Sequence, residues 1–209
     1  ALAAGVDSIG IFAAASQSFS QKNINCSIAE SLDRFQPVMA AAAVHKIPVR
    51  GYISMVVHCP DDGDTDPQIV ADLAARMMDM GCYQISLGDT VGMAKPPAIQ
   101  RLLDQCVHAV DGAYLAGHYH DTGGHALANI AASLPYGIRC FDASVGGLGG
   151  CPYAPGSAGN VASEAVAEML AQAGFTTGLD HDALAIAAKF ATSLRQPSTN
   201  RPSTKRQMP

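Results

Sequence analysis

CYQISLGDT, residues 82–90, is an apolar run that ends in an acidic turn, and it predicts a buried strand. A helical pattern from about Pro97 to Val110 follows, and a second strand-like run extends from Tyr114 to His120. A strand, a helix and a second strand in this order predict a parallel β–α–β unit, because parallel strands need a crossover between them. This unit indicates an α/β protein.

The same alternation continues on both sides of this unit. Further strands are predicted at residues 8–12, 49–57 and 140–145, and further helices at about 27–45, 67–80, 125–136, 161–173 and 181–194. The first of these helices begins with a capping box formed by Ser27 and Glu30. Residues 16–26, which precede it, have the composition of a polar loop.

Five strands separated by helices predict a parallel sheet, either an open doubly wound sheet or part of a (β/α)8 barrel. Polar residues follow nearly every strand, which favours the barrel, because an open sheet collects its chemistry at one switch point. A complete barrel has eight strands, so we expect one that lacks three. Residues 1–194 would form this domain, and the polar, basic residues 195–209 are predicted to be disordered.

The composition of the 209 residues excludes several classes of protein. Hydrophobic residues make up 48% and charged residues 15%, which is the balance of a globular domain. A net charge of −5, with no basic stripe before the C-terminal end, argues against a nucleic-acid partner. No apolar stretch reaches the ~20 residues of a membrane helix. Six cysteines without a C-x-x-C pair predict free thiols in a reducing compartment and argue against a zinc knuckle.

Two histidines at a predicted strand end are the strongest candidates for chemistry. His118 and His120 are two residues apart, so the strand period places both imidazoles on one face, where they can bind one metal ion. Two histidines that cap a buried strand through hydrogen bonds explain the pair equally well. Asp89 ends the preceding strand, where a carboxylate beside an imidazole could hold its tautomer or relay a proton. A turn-forming role is the alternative.

A glycine-rich segment, residues 146–160, follows the last strand and predicts a mobile loop over the barrel mouth. Cys151 within it could transfer a proton, although an unreactive loop thiol is the commoner explanation. Asn160 lies at a helix start, where N-capping explains it, and its amide oxygen also suits Mg2+ or Mn2+. Residues 22–25 offer donors for a phosphate or an amide-bearing substrate arm, or form a solvated loop.

Four segments together resemble the hydroxymethylglutaryl-CoA lyase family: KNINCS at 22–27, SLGDT at 86–90, HYHDT at 118–122, and GGCPYA at 149–154 with GN at 159–160. The resemblance runs to about Phe190, and the cysteine loop separates it from the isopropylmalate and homocitrate synthases of the same superfamily. It implies a (β/α)8 barrel of which this chain holds the fourth to eighth strands. It also implies Mg2+- or Mn2+-dependent cleavage of 3-hydroxy-3-methylglutaryl-CoA to acetyl-CoA and acetoacetate, a step of leucine degradation and ketone-body formation.

The resemblance also implies roles for particular residues. The metal ligands would be His118, His120 and Asn160, and Cys151 would be the acid of the loop. Further active-site acids match Asp89 and Glu164, and the candidate substrate-binding residues are Asn23, Ser27, Cys59 and Ser86. The family's first strand carries an Arg-Asp pair whose Asp binds the metal, and its second strand carries another acid. Neither segment is found in this sequence.

The chemistry of the cleavage agrees with these roles. The substrate's hydroxyl must lose a proton, which His118 or Asp89 could take, and the enolate that leaves needs a proton, which Cys151 could supply. Two alternatives stay open: a related acyl-CoA or 2-oxoacid aldolase, and a non-catalytic fragment whose sheet edges another chain covers. We expect a homodimer that acts on an acyl-CoA in a bacterial cytoplasm, or in the mitochondrial matrix of a eukaryote.

Overall fold

A computed structural model describes residues 1–149 and 159–194 of the chain. Within these residues the strands are β1 (Ile9–Ala14), β2 (Val49–Ser54), β3 (His58–Cys59), β4 (Gly63–Asp64), β5 (Gln84–Asp89), β6 (Leu115–Tyr119) and β7 (Cys140–Phe141). A parallel sheet has the order β1-β2-β5-β6-β7, and β3 pairs with β4 in a separate antiparallel hairpin. The strands of the sheet therefore follow one another in chain order.

Helices connect and flank these strands. They are α1 (Gln17–Ile24), α2 (Ile28–Val44), α3 (Pro67–Asp79), α4 (Pro96–Ala109), α5 (Ala126–Ser133), α6 (Ser163–Gln172) and α7 (His181–Ser193). The predicted capping box of α2 is confirmed, because the Ser27 hydroxyl accepts from Glu30 N while the Glu30 carboxylate accepts from Ser27 N. None of the helices in the described ranges is long and apolar enough to cross a bilayer.

The sheet order confirms the barrel and excludes the doubly wound alternative. A doubly wound sheet reverses its strand order at a switch point. Here each strand of the sheet pairs in parallel with the next one along the chain, as in a (β/α)8 barrel. The five predicted strands are confirmed, although β2 ends three residues early and β7 has two residues where six were predicted. The chain is thus an α/β protein with a partial barrel sheet.

The sheet is curved, as the contact between Arg50 and Asp142 shows. Arg50 belongs to β2 and Asp142 directly follows β7, so β5 and β6 lie between them. Their side chains nevertheless form an ion pair, with 2.7 Å between Arg50 Nη1 and Asp142 Oδ1. Three interstrand steps of about 4.8 Å would separate the strands by about 14 Å in a flat sheet. The pair therefore lies on the concave face, which corresponds to a barrel interior.

The convex face of the sheet carries the hydrophobic core. Strand residues such as Ile53, Ile85 and Leu115 are buried there with the apolar faces of the helices, including Met77 and Leu103. Each such side chain contributes roughly 1.5–3 kcal/mol through removal of its apolar surface from water. The concave face is more polar. Helix packing on the convex face therefore fixes the strands, and the concave face is available for a functional site.

The prediction of a polar loop at residues 16–26 is wrong, because Gln17–Ile24 form α1. Ser16 caps this helix by accepting from Phe19 N at 3.1 Å. Asp62, in the turn of the β3–β4 hairpin, accepts from Ser16 Oγ at 2.7 Å and from Ser18 N at 3.0 Å. An eight-residue helix is marginal alone, so these contacts from a distant segment support it. The hairpin itself was not predicted.

Three predictions lie wholly or partly outside the described ranges. They are the mobile loop at 146–160, of which residues 150–158 are not described, its thiol Cys151, and the disordered tail at 195–209. The cysteines that the structure describes carry free thiols, as predicted: Cys26, Cys59, Cys82 and Cys106 are buried and Cys140 is half-buried.

Candidate active site

The two predicted histidines come together at the C-terminal end of β6. His118 lies in the strand, His120 directly follows it, and their Nε2 atoms are 3.3 Å apart. The prediction that both imidazoles share a face is therefore confirmed. Two nitrogens that each lie about 2.1 Å from one ion are about 3.0–3.4 Å apart at bond angles between octahedral and tetrahedral. The spacing thus suits a shared metal ion.

The orientation of His118 is set by Asp142. Nδ1 of His118 is 3.2 Å from Asp142 Oδ2. A carboxylate only accepts hydrogen bonds, so Nδ1 is the donor and carries the proton. In a neutral imidazole this leaves the lone pair on Nε2, which is the nitrogen that faces His120. A carboxylate behind a histidine is a common arrangement at metal sites.

Asp142 is itself held by two further donors. Arg50 Nη1 donates to Oδ1 at 2.7 Å, and Ser86 Oγ donates to Oδ2 at 2.7 Å. Burial alone would raise the pKa of Asp142, but hydrogen bonds from His118, Ser86 and Arg50 together lower it to about 2. Burial tends to lower the pKa of Arg50, yet contact with Asp142 raises it above its ordinary value. Both side chains are therefore charged at neutral pH.

His120 sits in a tight part of the site. Burial lowers the pKa of His120 and the neighbouring His118 lowers it further, against an opposing contribution from the Thr90 backbone. The neutral imidazole, which is the form that binds metals, is thereby favoured. Gly92 packs against this residue: its φ is +71°, and a Cβ there would lie 2.7 Å from His120 Cβ. Only glycine fits this position without a shift.

Asn160 is brought next to His120 by the backbone. The two residues form an isolated antiparallel bridge, and Asp121 N donates to Gly159 O at 2.7 Å. The Asn160 side-chain nitrogen donates to Leu148 O at 2.9 Å, which fixes the plane of the amide. The amide oxygen is the atom that a divalent cation would use. The structure thus places together, at the level of the backbone, the three residues predicted as metal ligands.

Of the two roles considered for Asp89, the described residues show the hydrogen bonds of a turn former and no hydrogen bond to an imidazole. Its carboxylate accepts from Gly92 N at 3.1 Å and from Ala94 N at 3.0 Å, and its side chain is 2% exposed. Burial raises the pKa of Asp89, although these backbone hydrogen bonds oppose the rise. The contacts match the turn-forming alternative, and the turn they close is the one that packs against His120.

Glu164 lies in the first turn of α6 and reaches the beginning of the glycine-rich segment. Its carboxylate accepts from Gly146 N at 3.0 Å. Gly146 has a φ of +64°, a backbone conformation that glycine adopts readily. In this conformation Glu164 therefore holds the first residue of the glycine-rich segment, and its hydrogen bond is to that backbone rather than to His118 or Asp142.

The four candidate substrate-binding residues belong to different elements of the fold. Ser27 is the N-cap of α2, and Asn23 lies near the end of α1. Cys59 is 0% exposed and its Sγ lies 3.0 Å from Ser16 Oγ, so its thiol offers no surface to a substrate in this conformation. Ser86 is buried and its hydroxyl donates to Asp142, which makes it part of the histidine network.

A family model described as HMGL-like matches residues 1–190. The chain belongs to the HMGL-like family.

This HMGL-like chain is similar to curated bacterial lyases. It is 55% identical over 184 residues to a 3-hydroxy-3-isohexenylglutaryl-CoA/hydroxy-methylglutaryl-CoA lyase of Pseudomonas aeruginosa, covering 88% of the chain and 61% of that protein. It is 49% identical over 197 residues to a hydroxymethylglutaryl-CoA lyase of Pseudomonas mevalonii, covering 92% of the chain and 65% of that protein. The chain thus spans less than two thirds of the length of these relatives.

A solved structure supports the fold of this HMGL-like chain. The HMG-CoA lyase of Brucella melitensis superimposes with a TM-score of 0.92 at 52% identity, covering 94% of this chain and 69% of that one. The prediction of a partial (β/α)8 barrel is thereby confirmed.

Sequence reasoning missed Arg50 and Asp142 in this HMGL-like chain. Arg50 is a charged residue inside a predicted strand, flanked by Val49 and Gly51, and a charge at an alternating position indicates a polar face. That signal was available. Asp142 was placed inside the fifth strand, and the parallel register that pairs Ala116 with Cys140 and Gly117 with Phe141 brings it beside His118. Nothing local to residue 142 predicts this.

The donor set of the site fits a divalent cation in part. Two imidazoles and a carboxamide are suitable ligands, and Asp142 orients one of them. Within residues 1–149 and 159–194, no group of three or more His, Cys, Asp or Glu side chains is arranged to hold a metal ion. An ion bound here would therefore need further oxygen ligands from water, substrate or another segment.

Proposed function

We propose that this chain is part of a hydroxymethylglutaryl-CoA lyase, which cleaves 3-hydroxy-3-methylglutaryl-CoA to acetyl-CoA and acetoacetate. The observation that carries the proposal is the pair of Nε2 atoms of His118 and His120, 3.3 Å apart at a C-terminal strand end of a barrel sheet. The names of the similar bacterial proteins support the reaction and the acyl-CoA substrate.

Mg2+ or Mn2+ would be held by Nε2 of His118, Nε2 of His120 and the amide oxygen of Asn160. When bound, such an ion polarises the substrate's oxygen and stabilises the developing ketone. The fit of this chain rests on the spacing of the two nitrogens and on the lowered pKa of His120, which keeps its ring neutral. Asp142 supports the fit by orienting His118.

Cleavage requires that the hydroxyl on C3 lose its proton and become the ketone of acetoacetate, while the electron pair of the C2–C3 bond passes to C2 as the enolate of acetyl-CoA. His118 cannot bind a metal and accept this proton with the same Nε2 while Nδ1 donates to Asp142. We therefore propose Asp89, the other candidate, as the acceptor; because its carboxylate is 2% exposed and accepts from Gly92 N and Ala94 N, the turn that these bonds close would have to open for the proton to reach it. Cys151, outside the described residues, stays the proposed acid that returns a proton to carbon.

The substrate would lie across the concave mouth of the sheet, with its CoA arm toward α1 and α2. Asn23 near the end of α1 and Ser27 at the start of α2 are the proposed contacts of this arm. The proposal includes a homodimer and a bacterial cytoplasmic location, or the mitochondrial matrix in a eukaryote. The bacterial origin of the similar lyases supports the former location.

The test is cleavage of 3-hydroxy-3-methylglutaryl-CoA by the chain with Mn2+, followed as acetoacetate release. The matched control is His120→Gln, and 3-hydroxy-3-isohexenylglutaryl-CoA and a 2-oxoacid aldol serve as comparison substrates. We expect Mn2+ to raise the melting temperature of the unmodified chain only, and acetoacetate to appear only there. Cleavage of the 2-oxoacid aldol alone would favour the aldolase alternative. No Mn2+ stabilisation and no cleavage would favour the non-catalytic fragment.

A further inference from the structure

We propose that Asp142 is a positioning residue that holds His118 in the Nδ1–H tautomer, and that Arg50 fixes the carboxylate in the orientation required for this. The inference deepens the proposed function, since it concerns the nitrogen offered to a metal. It stands on hydrogen-bond geometry alone. Neither residue would touch the substrate, so both act through His118.

The first step is the direction of the hydrogen bond at His118. Asp142 Oδ2 lies 3.2 Å from Nδ1, and it can only accept. The proton is therefore on Nδ1, and the lone pair of the neutral ring is on Nε2. Without this partner the imidazole would be free to choose the other tautomer, in which Nε2 is protonated and cannot bind a metal.

The second step is the rigidity of Arg50. Its guanidinium donates to Asp142 Oδ1 at 2.7 Å, to Tyr52 Oη at 2.8 Å and to Gln84 Oε1 at 2.9 Å. It also stacks over the Tyr52 ring, with its central carbon 4.9 Å from the centroid. The Arg50 side chain is only 13% exposed. These contacts fix the orientation of the Arg50 guanidinium, and therefore the position of the Asp142 carboxylate oxygen that it binds.

The third step follows from what Arg50 excludes. A guanidinium has donors and no acceptor, so the atom of residue 142 that faces Arg50 must be an acceptor. In Asp142→Asn the amide oxygen would therefore face Arg50, and the NH2 group would occupy the place of Oδ2. That group would then donate to His118 Nδ1 and drive the proton to Nε2. The Ser86 hydroxyl, which can donate or accept, does not oppose this arrangement.

A carboxylate that only stabilises the fold gives a different expectation. An ion pair between β2 and β7 also holds the curvature of the sheet, so its loss lowers stability whatever the tautomer of His118. The tautomer is thus the readout that separates positioning from structure. The network offers a matched control one bond further away: Tyr52→Phe removes an acceptor of Arg50 and leaves all three donors to Asp142 in place.

The experiment records the imidazole nitrogens by long-range proton–nitrogen NMR of the chain labelled with 15N-histidine, in mildly alkaline buffer without metal. His118 is assigned by comparison with His118→Gln. We expect Nδ1 to be the protonated nitrogen in the unmodified chain and in Tyr52→Phe, and Nε2 to be protonated in Asp142→Asn. Thermal unfolding of each variant establishes that it is folded.

Two outcomes would overturn the proposal. One is Nε2–H in the unmodified chain, which needs no variant to fold. The other is a folded Asp142→Asn chain that keeps Nδ1–H. Titration with Mn2+ forms a separate arm, in which we expect the affinity of Asp142→Asn to be about 10–100-fold lower than that of Tyr52→Phe. Tautomers as expected with no Mn2+ binding in any variant would reject the proposed function and retain the positioning role.

Discussion

Asp89 ends β5 and His120 follows β6, the next strand of the sheet, and His120 N donates to Asp89 O at 3.3 Å. These neighbouring strand ends both carry a side chain of catalytic type. At β6 the imidazole faces a second imidazole, with its pKa lowered by burial. At β5 the carboxylate accepts from the amides of its own loop. The carboxylate of Asp89 is satisfied by its own loop, so the end of β5 contributes order to the site. The imidazole nitrogens at the end of β6 face each other, so they are available to bind a ligand.

The largest expected effect is at β6. His120→Ala removes one of the two nitrogens, so Mn2+ affinity should fall more than about 100-fold, beyond the loss typical of residues that only support a ligand. Acetoacetate release should disappear with it. Manganese titration by electron paramagnetic resonance measures the affinity. An unchanged Mn2+ affinity would mean that the two histidines only cap the strand through hydrogen bonds.

At β5 the comparison is tested by Asp89→Asn. If the carboxylate also takes the substrate's proton, kcat should fall by about 100-fold or more while KM and Mn2+ affinity stay within a few-fold. The amide keeps one acceptor for the loop, so we expect a stability loss of about 1 kcal/mol. Steady-state kinetics and urea unfolding measure the two effects. A stability loss with unchanged kcat would confine Asp89 to the turn.

The two strand ends meet through Gly92, and this contact can be broken separately. Gly92→Ala forces a Cβ to 2.7 Å from His120 Cβ at a positive φ, so we expect a loss of roughly 2–3 kcal/mol and a weaker Mn2+ site. Gly124→Ala is the matched control: its φ is +70°, and a Cβ there meets nothing within 4 Å. It should cost only about 1–2 kcal/mol of backbone strain. If Gly92→Ala and Gly124→Ala changed Mn2+ affinity equally, Gly92 would have no specific role in positioning His120.

The smallest expected effect concerns acid stability. Asp142 has its pKa lowered from 3.8 to about 2, so its ionised form stabilises the fold above pH 4 and loses this effect as the pH falls toward 2. The lowering corresponds to about 2 kcal/mol. The difference in unfolding free energy between the unmodified chain and Asp142→Asn should shrink over this pH range. Parallel stability curves would show that the carboxylate is not held as described.

The fold could be predicted further than the site. Apolar runs and helical periods locate the five sheet strands, because burial on the convex face demands them. The helix α1 was missed because its support comes from Asp62, more than forty residues away. The histidine pair was found because its spacing is local, whereas Arg50 and Asp142, 92 positions apart, meet only through curvature. Sequence patterns therefore predict contacts between residues that are close in the chain. Contacts between distant strands depend on how the whole sheet is packed and curved.

The ion pair of Arg50 and Asp142 connects β2 to the end of β7 across the concave face of the curved sheet. The same carboxylate also carries the hydrogen bond that aims His118. The curvature of the sheet and the direction of the imidazole therefore depend on one side chain. A change along β5 or β6 that flattens the sheet would separate Arg50 from Asp142 and release the carboxylate that orients His118, so we expect narrow mutational tolerance in these two strands even at positions remote from any ligand.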